Sequence, residues 1–270
     1  MPARIQRLDA ELIRRGLARS RDQAGALIAA GRVEVRGVVA TKAASGVDHD
    51  TPIRVQEDDS DPGYASRGGH KLAGALDAFP AIDPAGLRCL DAGASTGGFT
   101  DVLLRRGARE VEAVDVGYGQ LVWALQTDER VHIHDRTNVR SLTAEDIGGQ
   151  VALTVADLSF ISLRLVLPAL IACTADTGDL LPMVKPQFEV GKERLGSGGV
   201  VRDPEQRAES VVKVARAAEE LGWLTAGVCA SPLPGPSGNV EFFLWLNRSA
   251  RDPLDADRIS TIVVETEVGS

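Results

Sequence analysis

Between residues 88 and 246 the chain alternates short apolar runs with segments of helical periodicity. Each of four runs is followed directly by a charged residue: 88–90 by Asp91, 110–114 by Asp115, 151–156 by Asp157, and 180–184 by Lys185. A long amphipathic helix is predicted at 204–221, followed by strands at 224–230 and 240–246. This alternation predicts an α/β fold with a doubly wound, mostly parallel sheet and helices on both faces. Ligands bind at the carboxyl ends of such strands, so the charged residues there are candidate site residues.

The first 60 residues have a different pattern. Apolar residues at helical spacing predict two short helices, which end at Gly16 and Gly31. Valines on both sides of Gly37 predict a β-hairpin, and 53–55 predicts one more strand. The segment 57–63 is acidic and contains proline and glycine, as linkers often do. We therefore expect a small α+β domain at 1–60, a linker at 61–67 and a larger domain at 68–270.

Charge is divided unequally between these parts. The whole chain has a net charge of −8, but nine basic and four acidic residues lie between Met1 and Ser45. That segment carries +5, so the remainder carries about −13. Such asymmetry indicates a head that contacts nucleic acid on an acidic body.

The cysteines and the apolar runs exclude several classes. Cys89, Cys173 and Cys229 are far apart and form no C-x-x-C pair, so neither a disulfide framework nor a zinc site is expected. The start of the chain has no apolar signal-peptide core, and no apolar run approaches the length of a membrane span. We expect a cytoplasmic protein that does not act on membranes.

A glycine-rich turn after the first strand of the larger domain predicts a cofactor site. Small residues there let a ligand approach the backbone, and Asp115, 24 positions beyond Asp91, can accept hydrogen bonds from both ribose hydroxyls of an adenosine. The spacing is G-x-x-x-G-G, and the acidic residue before it suits a sulfonium cofactor with an ammonium group better than a pyrophosphate. The cofactor expected is S-adenosylmethionine, and its predicted binding residues are Asp91, Gly93, Ala94, Ser95, Thr96, Gly97, Asp115 and Asp157.

Two lysines and two carboxylates stand where the predicted sheet would bring them together. They are Lys71, Asp157, Lys185 and Glu241, the last of which opens the final predicted strand. A ribose hydroxyl is a poor nucleophile, and a lysine can accept its proton only where burial or a nearby cation lowers the pKa of that lysine. We assign Lys185 as the proton acceptor or hydroxyl-orienting group and Lys71 as a partner that binds the hydroxyl or a phosphate. No metal is required, because the leaving group is a neutral thioether.

This set of four resembles the catalytic tetrad of Rossmann-type ribose 2′-O-methyltransferases, and the chain as a whole resembles the TlyA family. Stretches that carry the resemblance include 66–68, 90–99, 157–162, 185–191 and 232–245. The family is named for haemolysin and consists of ribosomal RNA 2′-O-methyltransferases. The resemblance implies an S4-like RNA-binding domain at the N-terminus and methylation of cytidine ribose in ribosomal RNA, in the longer variants in both 16S and 23S rRNA.

The resemblance also implies which basic residues bind RNA. The matching positions are Arg7, Arg19, Arg21, Lys42 and Arg67. Aromatic residues are scarce in the N-terminal segment, so that domain is expected to contact RNA shape and phosphate rather than unstacked bases. Ribosomal RNA in the ribosomal subunits is the expected partner, with no obligate protein partner.

Three alternatives stay open at this point. The methyl group could go to a base nitrogen or carbon, but transfer to carbon commonly needs a nucleophilic cysteine, and none of the three lies in a motif. A membrane-active haemolysin needs a spanning or interfacial segment. A non-catalytic ribosome-binding factor would have no use for the lysines and carboxylates.

Overall fold

The computed structural model describes residues 5–18, 21–56, 62–235 and 237–266. The chain forms two compact units, Met1–Pro62 and Gly63–Ser270, which divide within the expected linker 61–67. No helix in the described part of the chain is long and apolar enough to span a membrane.

The first unit is a small α+β fold. It contains α1 (Leu8–Arg14), α2 (Arg21–Ala29), β1 (Gln6–Arg7), β2 (Val33–Val35), β3 (Val38–Val39), β4 (Gly46–Val47) and β5 (Ile53–Val55). β1 pairs with β4, and β2 lies between β3 and β5. The predicted hairpin is confirmed: Arg36 and Gly37 both have positive φ, as a two-residue hairpin turn with right-handed strand twist requires. Leu8, Leu12 and Val33 anchor its apolar core.

The second unit is built on a seven-stranded sheet. Its strands are β6 (Arg88–Ala92), β7 (Glu110–Val114), β8 (Val131–His134), β9 (Val151–Ala156), β10 (Thr174–Val184), β11 (Leu224–Ala230) and β12 (Phe242–Asn247), in the order β11-β12-β10-β9-β6-β7-β8. The five strands from β6 to β10 are parallel, whereas β12 is antiparallel to both of its neighbours. The carboxyl ends of β6, β7, β9 and β10 therefore lie at one edge, where the sequence predicted the site.

Helices cover both faces of this sheet. They are α3 (Gly68–Ala78), α4 (Gly98–Arg105), α5 (Trp123–Gln126), α6 (Leu167–Cys173), α7 (Pro186–Glu189), α8 (Pro204–Glu220) and α9 (Ala256–Glu265). One apolar layer contains residues of α3 and α4, and the other contains residues of α6, α8 and α9. Adjacent residues of β10 alternate between the layers, with Leu180 in one and Leu181 in the other. The predicted fold class is confirmed.

Three strand boundaries differ from the prediction. β6 continues to Ala92, so Asp91 lies within the strand rather than after it. β10 begins at Thr174 rather than at 180, because a shift in register between Thr174 and Asp179 extends its pairing with β9 through a polar segment. β12 begins at Phe242, so Glu241 lies immediately before the strand rather than opening it.

Candidate active site

The turn between β6 and α4 depends on glycines at two positions. Gly93 has a φ of 91° and Gly97, the N-cap of α4, has a φ of 95°, a region that side chains rarely allow. A Cβ on Gly93 would lie 2.5 Å from the carbonyl oxygen of Asp157. The amides of Gly93 and Ala94 both donate to the carbonyl of Val114. The turn is therefore packed against the ends of β7 and β9.

Asp115, at the end of β7, is held in a fixed orientation. The backbone amide of Ser95 donates to one carboxylate oxygen at 2.8 Å, and that of Gly117 donates to the other at 2.6 Å. Ser95 reaches this position with a φ of 48° and stays exposed beside Thr96. Each carboxylate oxygen can accept a further hydrogen bond, as the predicted contact with two ribose hydroxyls requires.

Asp91 is fully buried at the end of β6. Thr100 donates to one of its oxygens at 2.6 Å, while Oδ1 has no hydrogen-bond partner among the described residues. Burial, with smaller contributions from Asp157 and Asp115, raises the pKa of Asp91 to about 7. An unpaired buried acceptor below the glycine turn is electrostatically suited to a cationic ligand.

The four predicted catalytic residues form two ion pairs. Nζ of Lys71 lies 2.5 Å from Glu241, and Nζ of Lys185 lies 2.6 Å from Asp157. Both lysines are less than a tenth exposed, and buried charges of this kind persist when they are paired. The structure thus pairs a lysine of α3 with a carboxylate beside β12, and joins the ends of β9 and β10.

A cavity of about 540 Å³ opens beside these pairs. Lys185 and Glu241 line it together with two aromatic rings, those of Phe160 and Phe188, whose centroids are 5.3 Å apart. Phe160 is 92% exposed and has a φ of 65°. The cavity is therefore lined by both charged groups and two aromatic rings, which suits a nucleoside.

Backbone contacts join the cofactor turn to the ion pairs. The amide of Asp157 donates to the carbonyl of Ala92, and its own carbonyl lies against Gly93. The Lys185–Asp157 pair is consequently adjacent to the turn, as a site that brings a cofactor and an acceptor together requires.

Three residues near the lysines were not predicted as site residues. Ser159 accepts a hydrogen bond from Lys185 at 2.8 Å, and Gln187 approaches Glu241 at 3.4 Å. Glu189 is buried and binds the segment that carries Ser159. All three lie in stretches that carry the family resemblance, but nothing in their spacing indicated what they contact.

The predicted RNA-binding residues are distributed over both units. In the first unit Arg21 and Lys42 are exposed, and Arg7 is exposed but paired with Asp9 at 2.7 Å. Arg67 is exposed at the start of α3 in the second unit. Arg19 lies outside the described residues.

His132 and His134 occupy alternate positions of β8 and therefore face the same side of the strand. His134 lies 2.6 Å from Glu112, and His132 lies 3.6 Å from Glu110. Within the described ranges, no group of three or more histidine, cysteine, aspartate or glutamate side chains is arranged to hold a metal ion.

Two family models match the chain. The FtsJ-like methyltransferase family matches residues 64–248, and the S4 domain matches residues 6–53. The S4 match covers residues 6–45 of the segment in which the basic excess predicted an RNA-contacting head. The methyltransferase match contains the glycine turn and all four charged residues.

Individual proteins are similar to this chain over most of its length. The chain is 60% identical to the 16S/23S rRNA (cytidine-2′-O)-methyltransferase TlyA of Mycobacterium tuberculosis, over 97% of both chains. It is 34% identical to Hemolysin A of Brachyspira hyodysenteriae, over 87% of this chain and 97% of that one. Among solved structures, a hemolysin-named protein from Streptococcus thermophilus is 36% identical, with a TM-score of 0.76 over 97% of this chain and 95% of that one. The chain therefore belongs to the FtsJ-like methyltransferase family and, with an S4 domain ahead of the methyltransferase domain, to the TlyA group within it.

Proposed function

We propose that this protein transfers a methyl group from S-adenosylmethionine to the 2′-hydroxyl of cytidine ribose in ribosomal RNA, in both 16S and 23S rRNA. The observation that carries the proposal is the pairing of Lys185 with Asp157 at a nucleoside-sized cavity, next to the Lys71–Glu241 pair. The M. tuberculosis relative, whose printed name states this reaction, supports the choice of acceptor.

The residues of the glycine turn fit S-adenosylmethionine. Asp115 is oriented to accept hydrogen bonds from ribose hydroxyls, and the unpaired Oδ1 of Asp91 suits the cationic part of the cofactor. When bound, S-adenosylmethionine supplies an electrophilic methyl group on a sulfonium. Ser95 and Thr96 are exposed, which leaves room for the cofactor over the turn.

We expect Asp115→Ala to weaken S-adenosylmethionine binding about ten- to a hundredfold while the fold survives, because charge-assisted hydrogen bonds are lost. Calorimetric titration measures this. Asp135→Ala is the matched control, since Asp135 also accepts a backbone amide of the same loop, that of Gly119. Equal affinities for the Asp115 and Asp135 variants would contradict the assignment.

Lys185 takes up the proton of the hydroxyl in its neutral amine form, and the ammonium that results is paired with Asp157. Its Nζ is fixed by Asp157 and Ser159, which leaves its remaining hydrogen-bonding direction for the acceptor. The hydroxyl oxygen would accept the methyl group that the bound cofactor supplies, and no residue would be needed to protonate the neutral thioether that departs. Lys71, held by Glu241, binds the hydroxyl or an adjacent phosphate.

RNA recognition is assigned to both units. The S4 domain presents Arg21 and Lys42 to phosphates, and the apolar wall of Phe160 and Phe188 accommodates the target nucleoside. We place the domains at 1–60 and 68–270. A cytoplasmic location follows from ribosomal RNA as substrate.

Methyl transfer to a base carbon is less consistent with the site. That reaction needs a thiolate, whereas burial raises the pKa of Cys89 and Cys229 to about 12 and that of Cys173 to about 11. None of the three cysteines lines the cavity beside Lys185.

The product distinguishes the two chemistries. A 2′-O-methyl group blocks alkaline cleavage of the adjacent phosphodiester. Ribosomal subunits incubated with the protein and methyl-labelled cofactor should therefore yield an alkali-resistant dinucleotide that carries the label on cytidine. Label recovered on a free base would overturn the proposal.

A further inference from the structure

Glu189 is a buried carboxylate that the proposed methyl transfer does not use. It is the last residue of α7, four positions after Lys185, and is 5% exposed. The hydroxyl of Ser162 donates to one of its oxygens at 2.6 Å, and the amide of Leu163 donates to the other at 2.7 Å. Arg164 lies 3.5 Å away. Both carboxylate oxygens are thus engaged by consecutive residues of one distant segment.

That segment, residues 158–163, carries two features of the site. Ser159 accepts a hydrogen bond from Lys185, and Phe160 forms the cavity wall with Phe188. Phe160 adopts a φ of 65°, and a left-handed conformation costs a residue with a side chain about 1–2 kcal/mol. Such a conformation persists only where the surroundings hold it.

Leu158 and Ile161 pack against the apolar core, but few hydrogen bonds fix the backbone of this segment. Among the residues that the structure describes, the backbone of 158–161 makes no hydrogen bond. The segment is tied at its start by the amide of Asp157 and at its end by Glu189. Ser162 occupies the N-cap position of the following 3₁₀ turn but makes no capping hydrogen bond of its own. Its hydroxyl is directed to Glu189 instead.

We propose that Glu189 is a positioning residue for methyl transfer: its carboxylate fixes residues 158–163, so that Ser159 meets Lys185 and Phe160 forms the wall of the acceptor cavity. The effect on turnover rests on the proposed function, whereas the effect on the segment does not. A carboxylate suits this task because its two acceptors, at a fixed separation, meet one hydroxyl and one amide. Because Glu189 makes two contacts, it sets both the orientation and the position of residues 162–163.

Substitutions separate hydrogen-bond geometry from charge. Glu189→Ala removes both contacts and should lower kcat about tenfold or more, because small displacements of reacting groups are costly. The affinity for S-adenosylmethionine should stay within about twofold, since the glycine turn is untouched. In Glu189→Gln the amide oxygen can accept from Leu163 while its NH₂ donates to the hydroxyl oxygen of Ser162. This variant should keep kcat within about threefold of the wild type.

A second readout follows the segment directly and needs no RNA. Hydrogen exchange at the Leu163 amide should be faster in Glu189→Ala than in the wild type and nearly unchanged in Glu189→Gln. Ser162→Ala, which removes one contact and leaves Glu189 in place, should give intermediate exchange and intermediate kcat. Glu112→Ala is the matched control, because Glu112 is equally buried and paired, with Arg88 and His134. It should lower thermal stability without changing kcat or exchange at Leu163.

Unchanged Leu163 exchange in folded Glu189→Ala, or in Ser162→Ala if the first variant does not fold, would overturn the proposal. So would a Glu189→Gln variant as impaired as Glu189→Ala, because the charge would then be what matters. A wild-type protein that forms no 2′-O-methylcytidine would refute the proposed function instead, and the exchange experiment would still decide the role of Glu189.

Discussion

At the scale of single residues, each buried lysine of the site depends on one carboxylate. Removing Asp157 or Glu241 would leave an ammonium group buried without a counter-charge, which is costlier than losing the pair. The two lysines also differ in their surroundings. Lys185 has Ser159 as a second partner and lines the cavity, whereas Lys71 is held by Glu241. This difference supports Lys185 as the residue that meets the hydroxyl.

Lys185→Ala should abolish methyl transfer and leave cofactor binding nearly intact, because the lysine acts on the acceptor. Lys185→Arg should fail as well, since a guanidinium keeps its charge but does not give up its proton. Single-turnover methylation of ribosomal subunits and calorimetric titration of the cofactor measure the two effects. An active Lys185→Arg variant would mean that the residue only orients the hydroxyl.

Asp91 should make the stability of the cofactor-free protein depend on pH. Its pKa rises from 3.8 to about 7, with burial as the main cause, so the folded state binds more protons than the unfolded state between about pH 4 and pH 7. Stability contributed by the protonated form is therefore lost as the pH rises through that window. Asp91→Asn keeps an acceptor for Thr100 and removes the titration.

We expect Asp91→Asn to have a higher melting temperature than the wild type at about pH 8, and the two to converge near about pH 4. Thermal unfolding without cofactor at several pH values measures the difference. Cofactor affinity should be weaker in the variant, because a negative charge is lost near the cationic ligand. Melting curves that stay parallel across the window would contradict the pKa assignment.

At the scale of elements, the β6–α4 turn contacts the ends of β7 and β9 as well as continuing β6. Gly93 lies where a Cβ would meet the backbone of Asp157 rather than a movable side chain. The same backbone continues into the segment that Glu189 holds. A change in the turn therefore reaches the cofactor side and the acceptor side together.

Gly93→Ala should lower stability, weaken cofactor binding and reduce kcat. The control is Gly86→Ala: Gly86 also has positive φ, 72°, but has no atom within 4 Å of the added Cβ. Gly86→Ala should lower the free energy of unfolding only by the conformational strain, about 1–2 kcal/mol. It should leave kcat unchanged. Urea unfolding with cofactor titration measures both. Equal losses of stability in the two variants would show that the contact with Asp157 is unimportant.

At the scale of the whole molecule, the two units have separate apolar cores, and the net charge of −8 belongs to the second unit, because residues 1–62 hold ten basic and ten acidic residues. The second unit contains both apolar layers of the sheet and every residue assigned to catalysis. The positive segment Met1–Ser45 lies in the first unit. This division predicts that cofactor binding and RNA binding can be separated.

A chain that begins at Gly63 should bind S-adenosylmethionine like the full-length protein but lose methylation of ribosomal subunits. The RNA affinity of the full-length protein should fall steeply with salt concentration, because phosphate contacts release counterions. Cofactor titration of the short chain controls for its folding. Equal methylation by the two chains would exclude the S4 domain as the RNA-binding part.

By itself, the sequence determined the fold class, the basic segment Met1–Ser45 and the edge of the sheet that bears the site. Strand periodicity, glycines at a strand end and charged residues after apolar runs are local patterns, and parallel strands bring their carboxyl ends together whatever their order. For the same reason Asp115, Asp157 and Lys185, each of which follows a parallel strand, could be placed in one region before any coordinates.

Only the tertiary structure decided which groups pair. Lys71 meets Glu241, 170 positions away, because α3 and the start of β12 are adjacent in space, and no spacing encodes that. The complete burial of Asp91 and the contact of Glu189 with Leu163 likewise depend on packing between distant segments. Hydrogen-bond partners follow from the order and register of strands, which local propensity does not specify.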